Sequence, residues 1–203
     1  VAAARSVGVR DPRVLDAVRE VPRSAYVPAR RAAGAAVDQP IPIGHRQTTS
    51  QPSLVALMVE ALALTGEGTA LEVGTGFGYQ TALLARLARE VWSIERIPEL
   101  AHAARENLRG QGVQNAHVVV GDGSEGLPEH APYEGIVLSA AFPEVPPPLV
   151  EQLEPGGRLV QPIGPSGDER VVLFVREDDG LRHVRTLTGA RFVPLVGRHG
   201  YRG

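Results

Sequence analysis

The sequence predicts an α/β fold: a doubly wound, mostly parallel sheet preceded by a helical extension. Three observations carry that expectation. The run Ala70-Leu71-Glu72-Val73 passes directly into Gly74-Thr75-Gly76-Phe77-Gly78, after which apolar residues recur at helical spacing. Two further apolar runs, Val91-Trp92-Ser93-Ile94 and His117-Val118-Val119-Val120, end close to an acid, Glu95 and Asp122 respectively. Strand-like and helix-like segments then alternate along the chain, the pattern of βα units packed on both faces of a sheet.

Each element has a local reason. Val14, Leu15, Val18 and Val21 share one face of a helix over 12–21. The stretch 22–44 is rich in Pro, Ala and Arg and reads as loops and short turns. Pro52 suits the first turn of a helix over 52–63, with Leu54, Val55, Met58, Val59 and Leu62 on its buried face. A strand over 69–73 leads to a helix over 78–89, a strand over 90–95 to a helix over 97–110, and a strand over 116–121 to a loop. A strand over 134–139 follows, then a rigid Pro-rich loop, a short helix near 147–153 and a strand over 157–163. The runs 171–175 and 184–187 read as a strand pair joined through Asp178-Asp179-Gly180, a turn signal. The run 191–196 reads as a last apolar strand. The chain, 1–203, is expected to form one domain, with 1–65 as a helical and loop extension and 66–203 as the sheet and C-terminal strands.

A strand, a glycine turn and a helix in that order make a nucleotide-binding corner, since glycine lets backbone approach a ligand and the helix start offers free N–H groups. Glycines at 74, 76 and 78 give G-x-G-x-G, whereas the dinucleotide fingerprint needs a glycine at 79, where Tyr79 stands. The spacing therefore favours a mononucleoside ligand without pyrophosphate, of which S-adenosylmethionine is the commonest. A tight turn with no ligand is the plain alternative. Glu95 lies about 20 residues past the first glycine, where an acid at a strand end can accept both ribose hydroxyls; alternatively it is a solvated acid at the next helix start. Asp122, between Gly121 and Gly123, can accept from the adenine amino group, or simply form a turn. Three suitable strand ends in sequential order weigh more than any one of them.

Composition narrows the classes further. A net charge of −2 gives no electrostatic reason to expect nucleic acid or an anionic membrane as partner. No apolar run approaches a membrane span and no signal peptide is visible. The absence of Cys excludes disulfides and thiolate nucleophiles and suits the cytoplasm. The six His residues show no zinc-binding spacing, so no metal is expected.

Several motifs together resemble the protein-L-isoaspartate (D-aspartate) O-methyltransferase family over nearly the whole chain. They are Val21-Pro22-Arg23, Gln47-Thr48-Thr49-Ser50-Gln51-Pro52, the segment from Leu71 through Gly78 to Thr81, Gly121-Asp122-Gly123, Ser139-Ala140-Ala141, the segment from Leu153 to Leu159, and Arg191-Phe192-Val193-Pro194-Leu195-Val196. The Gly motif is common to many methyltransferases; Thr-Thr-Ser-Gln-Pro and Arg-Phe-Val-Pro-Leu are far more restricted. The resemblance implies a class I S-adenosylmethionine-dependent methyltransferase fold and a repair reaction. A methyl group passes from S-adenosylmethionine to the free α-carboxylate of an L-isoaspartyl or D-aspartyl residue, leaving S-adenosylhomocysteine, and the ester cyclises to a succinimide that reopens partly to aspartate. It implies Thr48, Thr49, Ser50, Gly74, Thr75, Gly76, Gly78, Glu95, Arg96, Asp122 and Gly123 around the cofactor. It implies Ser50, Ala140, Ala141 and Val193 around the substrate, with Ser50 as the catalytic residue. The partners would be isoaspartyl peptides and proteins, and the enzyme a monomer. Ser124 and His45-Arg46 depart from the family pattern and are expected to alter the pocket rim.

An acceptor carboxylate is already ionised at pH 7 and needs no general base. The protein's task is then to align the reacting atoms and exclude water. Ser50 can donate to that carboxylate from just before a helix start, whose N–H groups can add others; the plain alternative is a helix N-cap. Three other readings compete: the same fold methylating an aspartate in a tailored peptide, a non-catalytic adaptor, and a nicotinamide oxidoreductase.

Overall fold

The computed structural model describes residues 1–165 and 167–202. Six helices are present among them: α1 (Ala2–Ser6), α2 (Pro12–Glu20), α3 (Pro52–Leu62), α4 (Tyr79–Leu84), α5 (Pro98–Gly110) and α6 (Pro147–Gln152). A two-stranded hairpin, β1 (Ile41–Gly44) and β2 (Gln47–Thr49), stands apart from the main sheet. That sheet comprises β3 (Thr69–Val73), β4 (Glu90–Glu95), β5 (Ala116–Val120), β6 (Tyr133–Leu138), β7 (Leu153–Ile163), β8 (Arg170–Glu177) and β9 (Gly180–Gly189), in the order β5-β4-β3-β6-β7-β8-β9. The first five strands in that order pair in parallel, and β8 and β9 close the sheet antiparallel. Strand order reverses between β3 and β6. A crevice opens there at the C-terminal ends of the strands, where ligands of open α/β sheets bind.

Neighbouring residues on a strand point to opposite faces, and the two cores follow that alternation. Ala70, Val91, Val137 and Val160 join one cluster with helices α1 to α5; Leu71, Ile94, Leu138 and Leu159 join the other. The second face is covered by α6, loops and the C-terminal segment rather than by a full layer of helices. α3 is apolar almost all round, which requires cover on every side. The sheet covers its inner side, and α1 and α2 cover its outer side. This explains why helices precede the sheet. None of the described helices is long and apolar enough to cross a membrane.

Several expected boundaries shift. The helix placed at 78–89 ends at Leu84. Beyond it, Arg86 N donates to Leu83 O and Leu87 N to Leu84 O, tight i+3 bonds that swing the chain back to pair beside β3. The strand pair at 171–175 and 184–187 is longer, and β7 starts earlier than 157. Within 22–44, short 3₁₀ helices appear at Arg23–Tyr26 and Ala29–Gly34, and β1 appears where loops were expected. The run 191–196 is not a strand. Ala141 N donates to Val193 O and Leu195 N to Ala141 O, both at 2.8 Å, but Pro194 between them has no N–H to extend a ladder. The segment is instead an irregular strap across the strand ends.

Two glycine substitutions test this packing. A Cβ at Gly123 would lie 2.4 Å from Val73 Cγ1, inside the core, so Gly123→Ala is expected to lose about 1–3 kcal/mol in urea denaturation. A Cβ at Gly110, at the end of α5, meets nothing within 4 Å, so Gly110→Ala is expected to gain up to about 1 kcal/mol.

Candidate active site

The site is built around the turn that follows β3. Gly74 and Gly76 have φ of 96° and 57°, a region that L side chains resist. A Cβ would also press on neighbours, at 3.3 Å from Ser139 Cβ for Gly74 and 3.1 Å from Ile43 Cδ1 for Gly76. The hairpin and the end of β6 therefore close directly onto the loop backbone.

A buried polar cluster sits beneath this loop. Glu72, fully buried in the middle of β3, accepts from Ser93 Oγ at 2.6 Å and from Thr81 Oγ1 on α4. Thr75 Oγ1 and Ser93 Oγ share a hydrogen bond of 2.5 Å, which ties the loop to β4. Burial pushes the Glu72 carboxyl up to about 7, against the pull of the hydroxyls that bond to it.

Glu95 closes β4. Its Oε2 accepts the Gly76 N–H at 2.9 Å and its Oε1 the Ile97 N–H at 3.0 Å. At 5% exposure it is no solvated helix-start acid. Burial raises its pKa, and the N–H groups that it accepts lower it. A carboxylate has about four acceptor positions, so lone pairs remain free on the groove side.

The groove is a cavity of about 410 Å³ at the crevice between β3 and β6. Gly74, Gly76, Glu95 and Gly123 form its floor, Ile43, His45, Arg46 and Thr48 one wall, and Ser139, Ala140 and Val193–Val196 the other; Arg96 also lines it. A small recess adjoins it, lined by Thr48, Thr49, Ser50, Thr75, Gln80 and Ser139. Its volume of about 40 Å³ is that of a few atoms.

Thus the structure brings together Thr48, Gly74, Gly76, Glu95, Arg96, Gly123, Ala140 and Val193 at the groove, and Thr49, Ser50 and Thr75 at the recess beside it. Three of the expected residues stand elsewhere. Gly78 is the N-cap of α4, and a Cβ there would meet Leu108 Cγ at 3.3 Å; it is a packing residue between α4 and α5. Ala141 is buried and held by the strap. Asp122 faces the strap: its Oδ2 accepts Arg198 N at 2.6 Å, and its Oδ1 accepts Ser124 N and Oγ at 2.9 and 2.7 Å. Desolvation pushes its pKa up, but these bonds outweigh it and leave the carboxyl below its ordinary value.

Ser124, expected at the rim, is fully buried and accepts the His199 N–H at 3.0 Å. A bulkier residue there would displace the strap. The N-cap of α3 is Gln51, so Ser50 is not a plain cap. The start of α3 offers fewer donors than expected: Pro52 has no N–H, and the Ser53 N–H goes to Asp38 Oδ1 at 2.8 Å. Sequence reasoning missed Glu72, Ser139, Arg23 and Asp38. Glu72 had a signal, a lone charge inside an otherwise apolar strand.

A reversed strand order, a glycine loop at the end of the first core strand and a buried acid at the end of the second define a class I methyltransferase fold. The chain matches the protein-L-isoaspartate(D-aspartate) O-methyltransferase family over residues 1–200, and it belongs to that family. It is 53% identical to a protein-L-isoaspartate O-methyltransferase of Anaeromyxobacter dehalogenans (strain 2CP-C), covering 94% of this chain and 92% of that one. A solved protein-L-isoaspartate O-methyltransferase superposes with a TM-score of 0.85 at 30% identity, covering 97% of this chain and 65% of that chain's length. A Plasmodium falciparum beta-aspartate methyltransferase, solved in complex with S-adenosyl-L-homocysteine, gives a TM-score of 0.80 over 95% of this chain and 93% of that one. At 23% identity it shows the fold alone.

The buried Glu72 gives a pH test. Its carboxyl titrates near 4.5 unfolded and near 7 folded, so the folded state holds the extra proton between those values and stability falls as pH rises through that window. Glu72→Gln removes this dependence. The melting temperature of the variant, relative to the parent, is expected to rise by a few degrees between about pH 5 and pH 8.

Proposed function

We propose that the groove holds S-adenosylmethionine with its ribose on Glu95 and its adenine toward Gly123 and Arg96. Gly74, Thr75 and Gly76 cradle the methionine part, and Thr48 and Thr49 cover it. The residues present fit this ligand: two glycines leave backbone exposed beside the cavity, and Glu95 lines the cavity with acceptor capacity to spare. The buried Glu95, tethered by two N–H groups, is the observation that carries the reading. Asp122 already accepts the Arg198 N–H on Oδ2, so adenine would meet one remaining acceptor position there. Gly78 and Ala141 act from behind, through the packing of α4 and of the strap.

The chain is an S-adenosylmethionine-dependent protein-L-isoaspartate O-methyltransferase, which methylates the free α-carboxylate of isoaspartyl residues and so begins their repair. When bound, the cofactor supplies an electrophilic methyl group. The acceptor is an anion at neutral pH, so this chain's residues need only bind, orient and desolvate it. The Ser50 hydroxyl, at the recess beside the groove, makes no hydrogen bond among the described residues, which supports its donating to the acceptor. Ala140 leaves room for a peptide backbone, and Val193 forms the wall behind it. His45 and Arg46 stand at the rim with positive φ of 49° and 59°, where a flanking acidic residue would meet the Arg46 cation. The reading extends to a single domain, 1–203, working as a monomer in the cytoplasm on isoaspartyl peptides and proteins, with no nucleic acid or membrane as partner. A net charge of −2 and the lack of Cys support it.

Incubation with methyl-labelled S-adenosylmethionine and two peptides that differ only in Asp or isoAsp tests the acceptor. Label is expected on the isoAsp peptide alone; equal labelling of both would overturn the reading. Calorimetry tests the cofactor arm. Glu95→Gln is expected to weaken S-adenosylhomocysteine binding on the order of ten- to a hundredfold.

A further inference from the structure

Arg23 is buried to 6% exposure and makes no salt bridge among the described residues, although the Asp38 carboxylate is near enough to favour its charge. Its guanidinium donates only to backbone carbonyls: Nη1 to Ala35 and Val37, both at 3.1 Å, and Nη2 to Gln39 at 2.9 Å and Ser50 at 3.1 Å. A buried cation with no directly paired carboxylate is costly; burial lowers the Arg23 pKa, and the Asp38 charge offsets only part of that. Only the planar, multi-donor guanidinium spans four such acceptors at once; an ammonium cannot.

The four acceptors fall into two groups. Ala35, Val37 and Gln39 surround Asp38, and Ser50 is the residue assigned to the acceptor carboxylate. Asp38 works on the same loop from the other end. Its Oδ1 accepts the Ser53 N–H and its Oδ2 the Ser53 hydroxyl and the Gln51 side-chain amide, all at 2.8 Å. Ser50 thus lies between two grips: its own carbonyl on Arg23, and Gln51 and Ser53, which follow it, on Asp38. Arg23 makes the grips one unit, because it also fixes the turn that carries Asp38. The Arg23 guanidinium lies 6.0 Å from the ring centroid of Tyr79, the first residue of α4, so the clamp abuts the end of the glycine loop.

We infer that Arg23 is a positioning residue for methyl transfer: with Asp38 as its second arm, it sets the place of the Ser50 hydroxyl against the acceptor carboxylate. The inference rests on the assignment of Ser50 above. It gives the N-terminal extension a part in the reaction beyond covering α3. A buried clamp of this kind acts on the transfer step more than on cofactor affinity, since neither Arg23 nor Asp38 lines the groove.

A double-mutant cycle tests it. Arg23→Lys, Ser50→Ala and the double variant are compared with the parent in kcat and KM for one isoaspartyl peptide, in calorimetric Kd for S-adenosylhomocysteine, and in melting temperature. Arg23→Lys is expected to lower kcat/KM on the order of tenfold or more in the parent, mainly through kcat, with the Kd changed by less than about twofold. In the Ser50→Ala background the same change is expected to cost about threefold or less, because the group being positioned is gone. An equal loss in both backgrounds, with Ser50→Ala itself damaging, overturns the inference and leaves the Ser50 assignment standing. Ser50→Ala at parental kcat/KM overturns both. If Arg23→Lys does not fold, Asp38→Asn takes its place in the same cycle: coupling to Ser50 supports the clamp, and additivity overturns it.

Discussion

The carboxylate of Glu95 is the point on which sheet, loop and groove converge. One of its oxygens holds the Gly76 N–H and the other the Ile97 N–H, so the turn after β3 and the start of the segment leading to α5 are fixed from the end of β4. Burial penalises the charge, and the two amides return part of that cost. What remains is a pair of oxygens with unused lone pairs, facing a cavity that the reversal in strand order between β3 and β6 opens. Thr75 and Ser93 brace the same turn from below, and Glu72 anchors Ser93 and Thr81. A loop that presents bare backbone at its glycines has few side chains of its own to hold it, and here only Thr75 among them reaches β4. It is held by the strands around it.

Both ends of the chain then build the walls. The N-terminal extension lays α1 and α2 over α3 and brings Arg23 and Asp38 to the loop that precedes α3. The C-terminal strap crosses the strand ends, pairs with Ala141 and is stapled to Asp122 and Ser124 by the Arg198 and His199 amides. Ser124 and Gly197 are matched: a Cβ at Gly197 would stand 2.0 Å from Asp122 Oδ1 and 2.5 Å from Ser124 Oγ. Small residues on both sides let the strap seat on the acid just after β5, so the groove wall at Val193 is mechanically joined to the carboxylate expected to face adenine.

Much of this was legible in the sequence, for physical reasons. Short apolar runs and glycine punctuation marked the parallel strands, and the spacing of Gly74, Gly76 and Glu95 marked the groove floor. The rest depended on contacts distant in the chain. The run Arg191 to Val196 has the apolar composition of a strand, but it makes only isolated bridges, Pro194 to Ala141 and Val196 to Tyr201. Asp122 sits where expected, and its side chain is claimed by an amide 76 residues away. Arg23 stood in one of the motifs, but its role was not readable, because its acceptors are backbone carbonyls up to 27 residues distant, invisible to side-chain patterning. Gly78 sits in the same turn as Gly74 and Gly76, yet it serves the packing of α5.

The central claim is that the cofactor lies on Glu95 within the groove between the hairpin and the strap. A crystal structure of the complex with S-adenosylhomocysteine measures this directly. The account predicts both ribose hydroxyls within hydrogen-bonding distance of the Glu95 carboxylate, with the sulfur toward the Ser50 recess. A ribose seated instead in the cavity beyond Asp122, lined by Glu125, Glu129 and Glu151, would contradict it.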